Sequence, residues 1–164
     1  MRYRDGPTVE VTQLIPCDVD TAWRLVTDIR LPLRCSSELR DVEWLDDADR
    51  VAVGARFRGH NSHDALGTWS TQCEVVEVEE NRRWVWDVAG PQGVGATWGF
   101  EVEPSSRGTI VRQWGRMGPG PSGLTFAITA NPDKEGRIVA RRLEEWQTNM
   151  TANLDCIARL AAPT

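Results

Sequence analysis

At 164 residues, with 40% apolar and 26% charged side chains, the chain has the make-up of one soluble globular domain whose core needs neither disulfide nor metal. A formal net charge of -5 sets it against nucleic-acid phosphates and anionic membranes, so no nucleic acid and no membrane insertion are expected. No apolar run approaches the ~20 residues that span a bilayer, and no apolar segment follows the charges at the start, so the expected location is cytoplasmic.

Residues 8–15 alternate, with Val9, Val11, Gln13 and Ile15 on one face, and predict a strand that Pro16 ends. Asp18 is placed to cap a short helix over residues 19–27, with Ala22, Trp23 and Val26 on its inner stripe. Pro32 starts a second short turn or helix, and residues 39–45 form a strand with Val42 and Trp44 on one side. Gly54 opens the next strand, where Ala55, Phe57, Gly59 and Asn61 share a face and Arg56, Arg58 and His60 take the other. Residues 61–67 read as its turn. Trp69, Thr71, Cys73 and Val75 then alternate against Ser70, Gln72 and Glu74.

After a turn at Asn81-Arg82, Trp84, Trp86 and Val88 form an inward row; after a turn over residues 90–93, Trp98, Phe100 and Val102 form another. Gly108 starts the last strand, with Val111, Gln113, Gly115 and Met117 on one face and Ile110, Arg112 and Trp114 on the other. The Gly/Pro run over residues 118–123 breaks it. Residues 124–130 fit either helix or loop. Asn131-Pro132 reads as the N-cap and first position of a long helix running to about Leu160, on which Leu143, Trp146, Met150, Leu154 and Ile157 make one apolar stripe. Such a helix is about 40 Å long.

Consecutive strands on short turns must be antiparallel, and the absence of βαβ alternation excludes a doubly wound sheet. The fold class is therefore α+β: a curved antiparallel sheet wrapped around a long C-terminal helix, with two short helices after the first strand. All of residues 1–164 belong to this single domain. The gap between a curved sheet and a single covering helix is where a ligand cavity is expected.

Several segments carry a resemblance: Ile15-Pro16 leading into Thr21-Ala22-Trp23-Arg24-Leu25-Val26, Val53-Gly54-Ala55-Arg56-Phe57, the run from Trp69 to Val75, Arg83-Trp84-Val85-Trp86, the Gly/Pro run ending in Gly123-Leu124, Pro132-Asp133-Lys134-Glu135 and Arg141-Arg142-Leu143-Glu144. With them the chain resembles the START/Bet v 1-like superfamily, in particular the bacterial polyketide cyclase/dehydrase-like (SRPBCC) proteins. The resemblance covers nearly the whole chain and implies a helix-grip fold with a hydrophobic tunnel between sheet and C-terminal helix. It also implies binding of lipids, polyketides, hormones or other lipophilic molecules, with cyclase or aromatase activity in a minority. Some family cyclases use a phenolic acid; here the lone Tyr3 lies ahead of the first strand, away from that role.

Eight tryptophans in so short a chain make either a heavy core or an aromatic cavity. Phe57, Trp69, Trp84, Trp86 and Trp98, facing Trp146 and Met150, are the candidate cage; the alternative is that they simply fill the core. Asn61, Thr71, Cys73 and Gln113, with Gln13, fall on inward rows. A buried polar group without a partner costs about 1–3 kcal/mol, so these groups either bond one another and the backbone or orient a ligand carbonyl or phenol. Arg142 and Asn153 flank the helix stripe and could also reach in, although long side chains there usually reach out to water.

His60-x-x-His63-Asp64 suits a solvated turn, with His60 on the outer face, and no metal site is expected. The four cysteines are widely spaced, without a C-x-x-C pair, and read as small buried hydrophobes in a reduced compartment. No cofactor is implied, and no catalytic acid or base can be named. Residues 118–130 have the composition of a lid over a tunnel mouth, or of a loop packed permanently on the helix. Outward Trp114 and Ile110 suggest a dimer face, so the state is monomer or weak homodimer. The function expected is binding of a hydrophobic, aromatic or polyketide-like molecule. The alternatives are a polyketide aromatase/cyclase or dehydratase, and self-protection by sequestering a toxic natural product.

Overall fold

A computed structural model describes residues 1–163. Seven strands form one antiparallel sheet in the order β1-β7-β6-β5-β4-β3-β2. They are β1 (Thr8–Ile15), β2 (Leu39–Trp44), β3 (Arg56–His63), β4 (Gly67–Glu79), β5 (Arg83–Gly90), β6 (Gly93–Ser105) and β7 (Gly108–Met117). The helices are α1 (Val19–Val26), α2 (Leu31–Cys35), α3 (Gly123–Ala130) and α4 (Glu135–Ala161). Strands β2 to β7 follow one another as hairpins, and β1 returns to pair with β7, Thr8 opposite Arg116 and Ile15 opposite Thr109. This is the helix-grip architecture expected from the alternation and the long C-terminal stripe. No helix among the described residues is long and apolar enough to cross a membrane.

Local chemistry explains the shorter elements. The Asp18 carboxylate accepts the Thr21 N–H at 2.7 Å and starts α1. In α3 the Ser122 and Thr125 side chains and backbones form a reciprocal capping box, which settles residues 124–130 as helix. A run uniform in apolarity hid this helix, because it has no polar face to reveal its period.

Three expectations need correction. Strand β3 continues through His63, so its turn is confined to residues 64–66; Asn61 and His63 are ladder residues opposite Trp69 and Gly67. The long helix begins at Glu135, after a 3-10 turn Pro132–Lys134, and Asn131 makes no side-chain cap. Finally, Cys35 and Cys156 are joined in a disulfide, their Cα atoms 5.6 Å apart. Only Cys17 and Cys73 are free thiols among the described residues. The link ties α2 to α4 across 121 residues of sequence, a distance over which spacing carries no signal.

On α4, Val139, Leu143, Met150, Leu154 and Ile157 are buried, and the helix makes its main sheet contacts with β1 and β7. Leu154 and Ile157 join Ile15, Val26, Leu31 and Val111 in one core cluster. Val139, Leu143, Trp146 and Met150 join Tyr3, Ala96 and Met117 in a second. Seated on that side of the sheet, α4 makes no main contact with β3, β4 or β5.

Two cross-strand Trp–Gly pairs lie side by side between β6 and β7, one on each face of the sheet. On the concave face Trp98 lies across Gly115, where a Cβ would come within 2.8 Å of its ring. On the convex face Trp114 lies across Gly99, where a Cβ would come within 2.6 Å. Trp114 is also covered by the Arg83 guanidinium, 5.4 Å from its ring centre. It is therefore half-buried and does not stand proud as a sticky outward patch. Around it, carboxylates and guanidiniums alternate across five strands, Glu10–Arg112–Glu101–Arg83–Glu77.

Candidate functional site

The space between the concave sheet and α4 is a cavity of about 790 Å³. That is within the roughly 300–1,000 Å³ typical of small-molecule sites. Phe57, Asn61, Trp69, Thr71, Cys73, Trp84, Trp86, Trp98, Gln113, Trp146 and Met150 all lie on its wall. The period-2 rows of the strands put nine of them there, because alternate residues of a strand face the same side, and α4 supplies Trp146 and Met150.

The inner end is aromatic. Trp84 and Trp86 stack with ring centres 4.3 Å apart and planes 24° apart. Phe100 continues the stack, 6.0 Å from Trp86. Phe57 leans on Trp86 at 6.3 Å and on Trp44 edge-on at 5.6 Å. The rings divide between the two roles that composition leaves open. Trp84 is a core residue whose Nε1 donates to the Val26 carbonyl at 2.9 Å, so one tryptophan bolts α1 to the sheet. Trp86 and Trp98 remain half-buried on the cavity wall. Trp98 meets Trp146 of α4 at 4.4 Å over Gly115, and this contact bounds the space on the side of the second core cluster.

The polar wall residues are not equivalent. The Asn153 side-chain N–H donates to Gln113 Oε1 at 3.2 Å, and Asn153 Oδ1 has no protein partner. Two amides, contributed by α4 and β7, thus form one buried pair. Burial pushes the Cys73 thiol up to about 12, so it stays protonated and is no nucleophile at neutral pH.

A charged cluster built on Arg142 also stands on the wall. Arg142 is not turned out to water: its side chain is 12% exposed. Its guanidinium donates to both Glu38 oxygens, at 2.6 and 3.0 Å, and to Glu145 Oε2 at 2.8 Å. Asn149 donates to Glu38 at 3.3 Å, and His63 Nε2 lies 3.1 Å from Glu145. Burial works against the Arg142 charge, but the Glu38 and Glu145 carboxylates outweigh it and hold the group above its ordinary pKa. Burial likewise works against the Glu145 charge; Arg142, His63 and Arg141 outweigh it and hold that carboxyl below the usual range.

His60 and His63 do not form one site. His60 Nδ1 meets Ser70 Oγ at 2.8 Å on the convex side, whereas His63 turns toward α4. No group of three metal-capable side chains occurs among the described residues. Tyr3, dismissed on its position before β1, folds back as part of the cavity wall. Its hydroxyl lies 2.8 Å from the Gly120 carbonyl and 3.1 Å from that of Gly95, so it fastens the loop over residues 118–123 to β6. Leu124 and Phe126 of α3 line the mouth, and Phe126 is 71% exposed.

The family model for polyketide cyclases/dehydrases and lipid transport matches residues 6–155. No curated protein matches the chain. Among solved structures it is similar to a polyketide-cyclase-like protein, Cgl2372, of Corynebacterium glutamicum, with 26% identity over 94% of this chain and 91% of that one and a TM-score of 0.67. It is also similar to the di-domain ARO/CYC protein BexL of the BE-7585A biosynthetic pathway, at 14% identity over 97% of this chain and 51% of that one, TM-score 0.71. A third similar structure is Ara h 8.0201, at 11% identity over 93% of this chain and 97% of that one, TM-score 0.60. At 14% and 11% identity the last two show a shared fold alone.

Proposed function

The chain belongs to the polyketide cyclase/dehydrase and lipid transport family, and from that premise we propose that it binds a hydrophobic, aromatic or polyketide-like small molecule between the sheet and α4. The observation that carries this reading is a cavity of about 790 Å³ whose wall includes the half-buried indoles of Trp86 and Trp98. Flat indoles favour a flat guest through area burial and offset stacking. If about 300 Å² of apolar guest surface is removed from water, the area term is on the order of 7 kcal/mol before ordering costs, so micromolar binding needs the stacking and hydrogen bonds of the wall as well. Of the eleven wall residues named from the sequence, Trp84 backs the wall as a core residue and the other ten are the proposed contacts, with the Gln113–Asn153 amide pair orienting a carbonyl or phenol.

Two other roles use the same space: conversion of a poly-β-ketone by an aromatase/cyclase or dehydratase, and sequestration of a toxic product. Binding without turnover is preferred because the wall's ionisable groups are engaged. Cys73 is held as a thiol, Arg142 and Glu38 hold each other, and the Tyr3 hydroxyl is bonded to backbone carbonyls. In this reading the protein acts as a monomer or weak homodimer, with α3 as the lid of the mouth.

The test is quenching of tryptophan fluorescence by a planar polycyclic ketone, with native mass spectrometry of protein purified from its own host. Saturable quenching at micromolar concentration and a co-purifying small molecule are expected. Linear, non-saturating quenching together with a bare native mass would reject the proposal.

A further inference from the structure

Arg142 looks like an anchor for an acidic guest, being buried, cationic and on the cavity wall. Its hydrogen-bond partners contradict that role. A guanidinium has five N–H donors. Both of its terminal nitrogens are already committed, one to Glu38 Oε1 and the other to Glu38 Oε2 and Glu145 Oε2. One cation is thus shared by two carboxylates. Of the partners beyond them, the uncharged Asn149 shares the wall, whereas Arg141, 3.5 Å from Glu145 and 75% exposed, and His63 lie outside it. The charged side chains on the wall itself, among the described residues, are Asp28, Glu38 and Arg142. Asp28 is spent in turn on Arg34, at 3.0 Å, and on the Arg30 backbone N–H.

From this we infer that the cavity selects uncharged guests and rejects carboxylates. The inference deepens the proposed function and rests on it. A guest's carboxylate entering beside Arg142 meets two carboxylates already seated there. Entering at the aromatic end it is stripped of water and finds no cation. Leaving an ion unpaired in an apolar surrounding is the costliest arrangement open to a guest. An uncharged carbonyl or hydroxyl escapes that cost, because the amides of Gln113 and Asn153 and the hydroxyl of Thr71 stand on the same wall. The ligand class is thereby narrowed to neutral polycyclic ketones, phenols and amides, and free fatty acids and aromatic acids fall outside it.

The probes are anthracene-2-carboxamide and anthracene-2-carboxylate, nearly the same shape and differing by one charge at pH 7.5. The expected result, by tryptophan quenching of the full chain, is binding of the amide at least tenfold tighter than the carboxylate. Equal binding, or a preference for the carboxylate, overturns the inference and leaves the binding role standing. Failure of both probes to bind overturns the binding role, and this inference with it. The substitution Glu38→Gln frees donors of Arg142, so the ratio of carboxylate to amide affinity should rise at least tenfold. Should that variant fold poorly by circular dichroism, Glu145→Gln releases the other partner and serves the same purpose. An unchanged ratio in a folded variant of either kind overturns the assignment to Arg142.

Discussion

Two neighbouring stripes of α4 behave in opposite ways. Val139, Leu143, Leu154 and Ile157 press onto protein, and Val139 and Ile157 have no solvent exposure at all. Arg142, Asn149 and Asn153 lie along the same helix at spacings of seven and four and face the cavity. Each of these three is held by a partner from elsewhere in the fold: Glu38 for the first two and Gln113 for the third. The first stripe fixes where the helix sits. The second shows what a helix can do once it is fixed, because it need not close the space beneath it. A helix seated along β1 and β7 and stapled to α2 can leave the far half of the sheet open at little cost to its own stability.

The comparison can be broken first on the seated side. Removing the Cys35–Cys156 link, by reductant or by the double substitution to Ala, releases a loop of 121 residues in the unfolded chain. For loops of that order the loss of stability is about 4–5 kcal/mol, read as the shift of the urea midpoint with and without reductant. A shift too small to measure would mean that packing alone seats α4. Next, Ile157→Ala removes a fully buried side chain from the core cluster and should cost about 2–5 kcal/mol in the same assay. Because Ile157 is not on the cavity wall, guest affinity of the folded fraction should stay unchanged.

The cavity side should respond in the other currency. Trp86→Ala takes away a half-buried ring on the wall, and guest affinity should fall about tenfold, by roughly 1.4 kcal/mol, with a smaller loss of stability than Ile157→Ala. A reversed order of effects, stability falling and affinity holding, would make Trp86 a core residue. The smallest effect is electrostatic. The Glu145 carboxyl titrates below its ordinary range in the folded protein, so its stabilising contribution is complete above that range. It is lost as pH falls through the ordinary value to the depressed one. The gap in urea midpoint between the wild-type protein and Glu145→Gln should therefore narrow steadily from pH 6 to pH 3. A gap that stays constant would show that Glu145 contributes nothing through its charge.

How much could be foreseen differs between the two stripes for a physical reason. Leu143, Trp146, Met150, Leu154 and Ile157 repeat at helical spacing, and apolar periodicity marks a buried face wherever that face is covered by protein. Arg142 and Asn149 have the same periodicity, but polar side chains on a helix usually mark a solvated face. Only the arrival of Glu38, 104 residues away, turns Arg142 inward. The strand rows were equally legible, and with them the strand-borne rings of the wall, since alternation fixes which side of a strand a residue faces; Tyr3 and Phe126, off the strands, were not. The start of α4 was misplaced because Asn131-Pro132 is a true local helix signal that the chain satisfies with a 3-10 turn.

Taken alone, the amino-acid order determined the antiparallel hairpins, the long terminal helix and the face on which each indole lies, because all three follow from periods of two and of three to four residues. The tertiary structure decided how far the helix stands from the sheet and how large the space between them is. It also decided that Cys35 meets Cys156 and that Arg142 is spent on two carboxylates. The disulfide and the Arg142–Glu38 pair join residues more than a hundred positions apart, and contacts at that range depend on how finished elements pack, which no local repeat encodes.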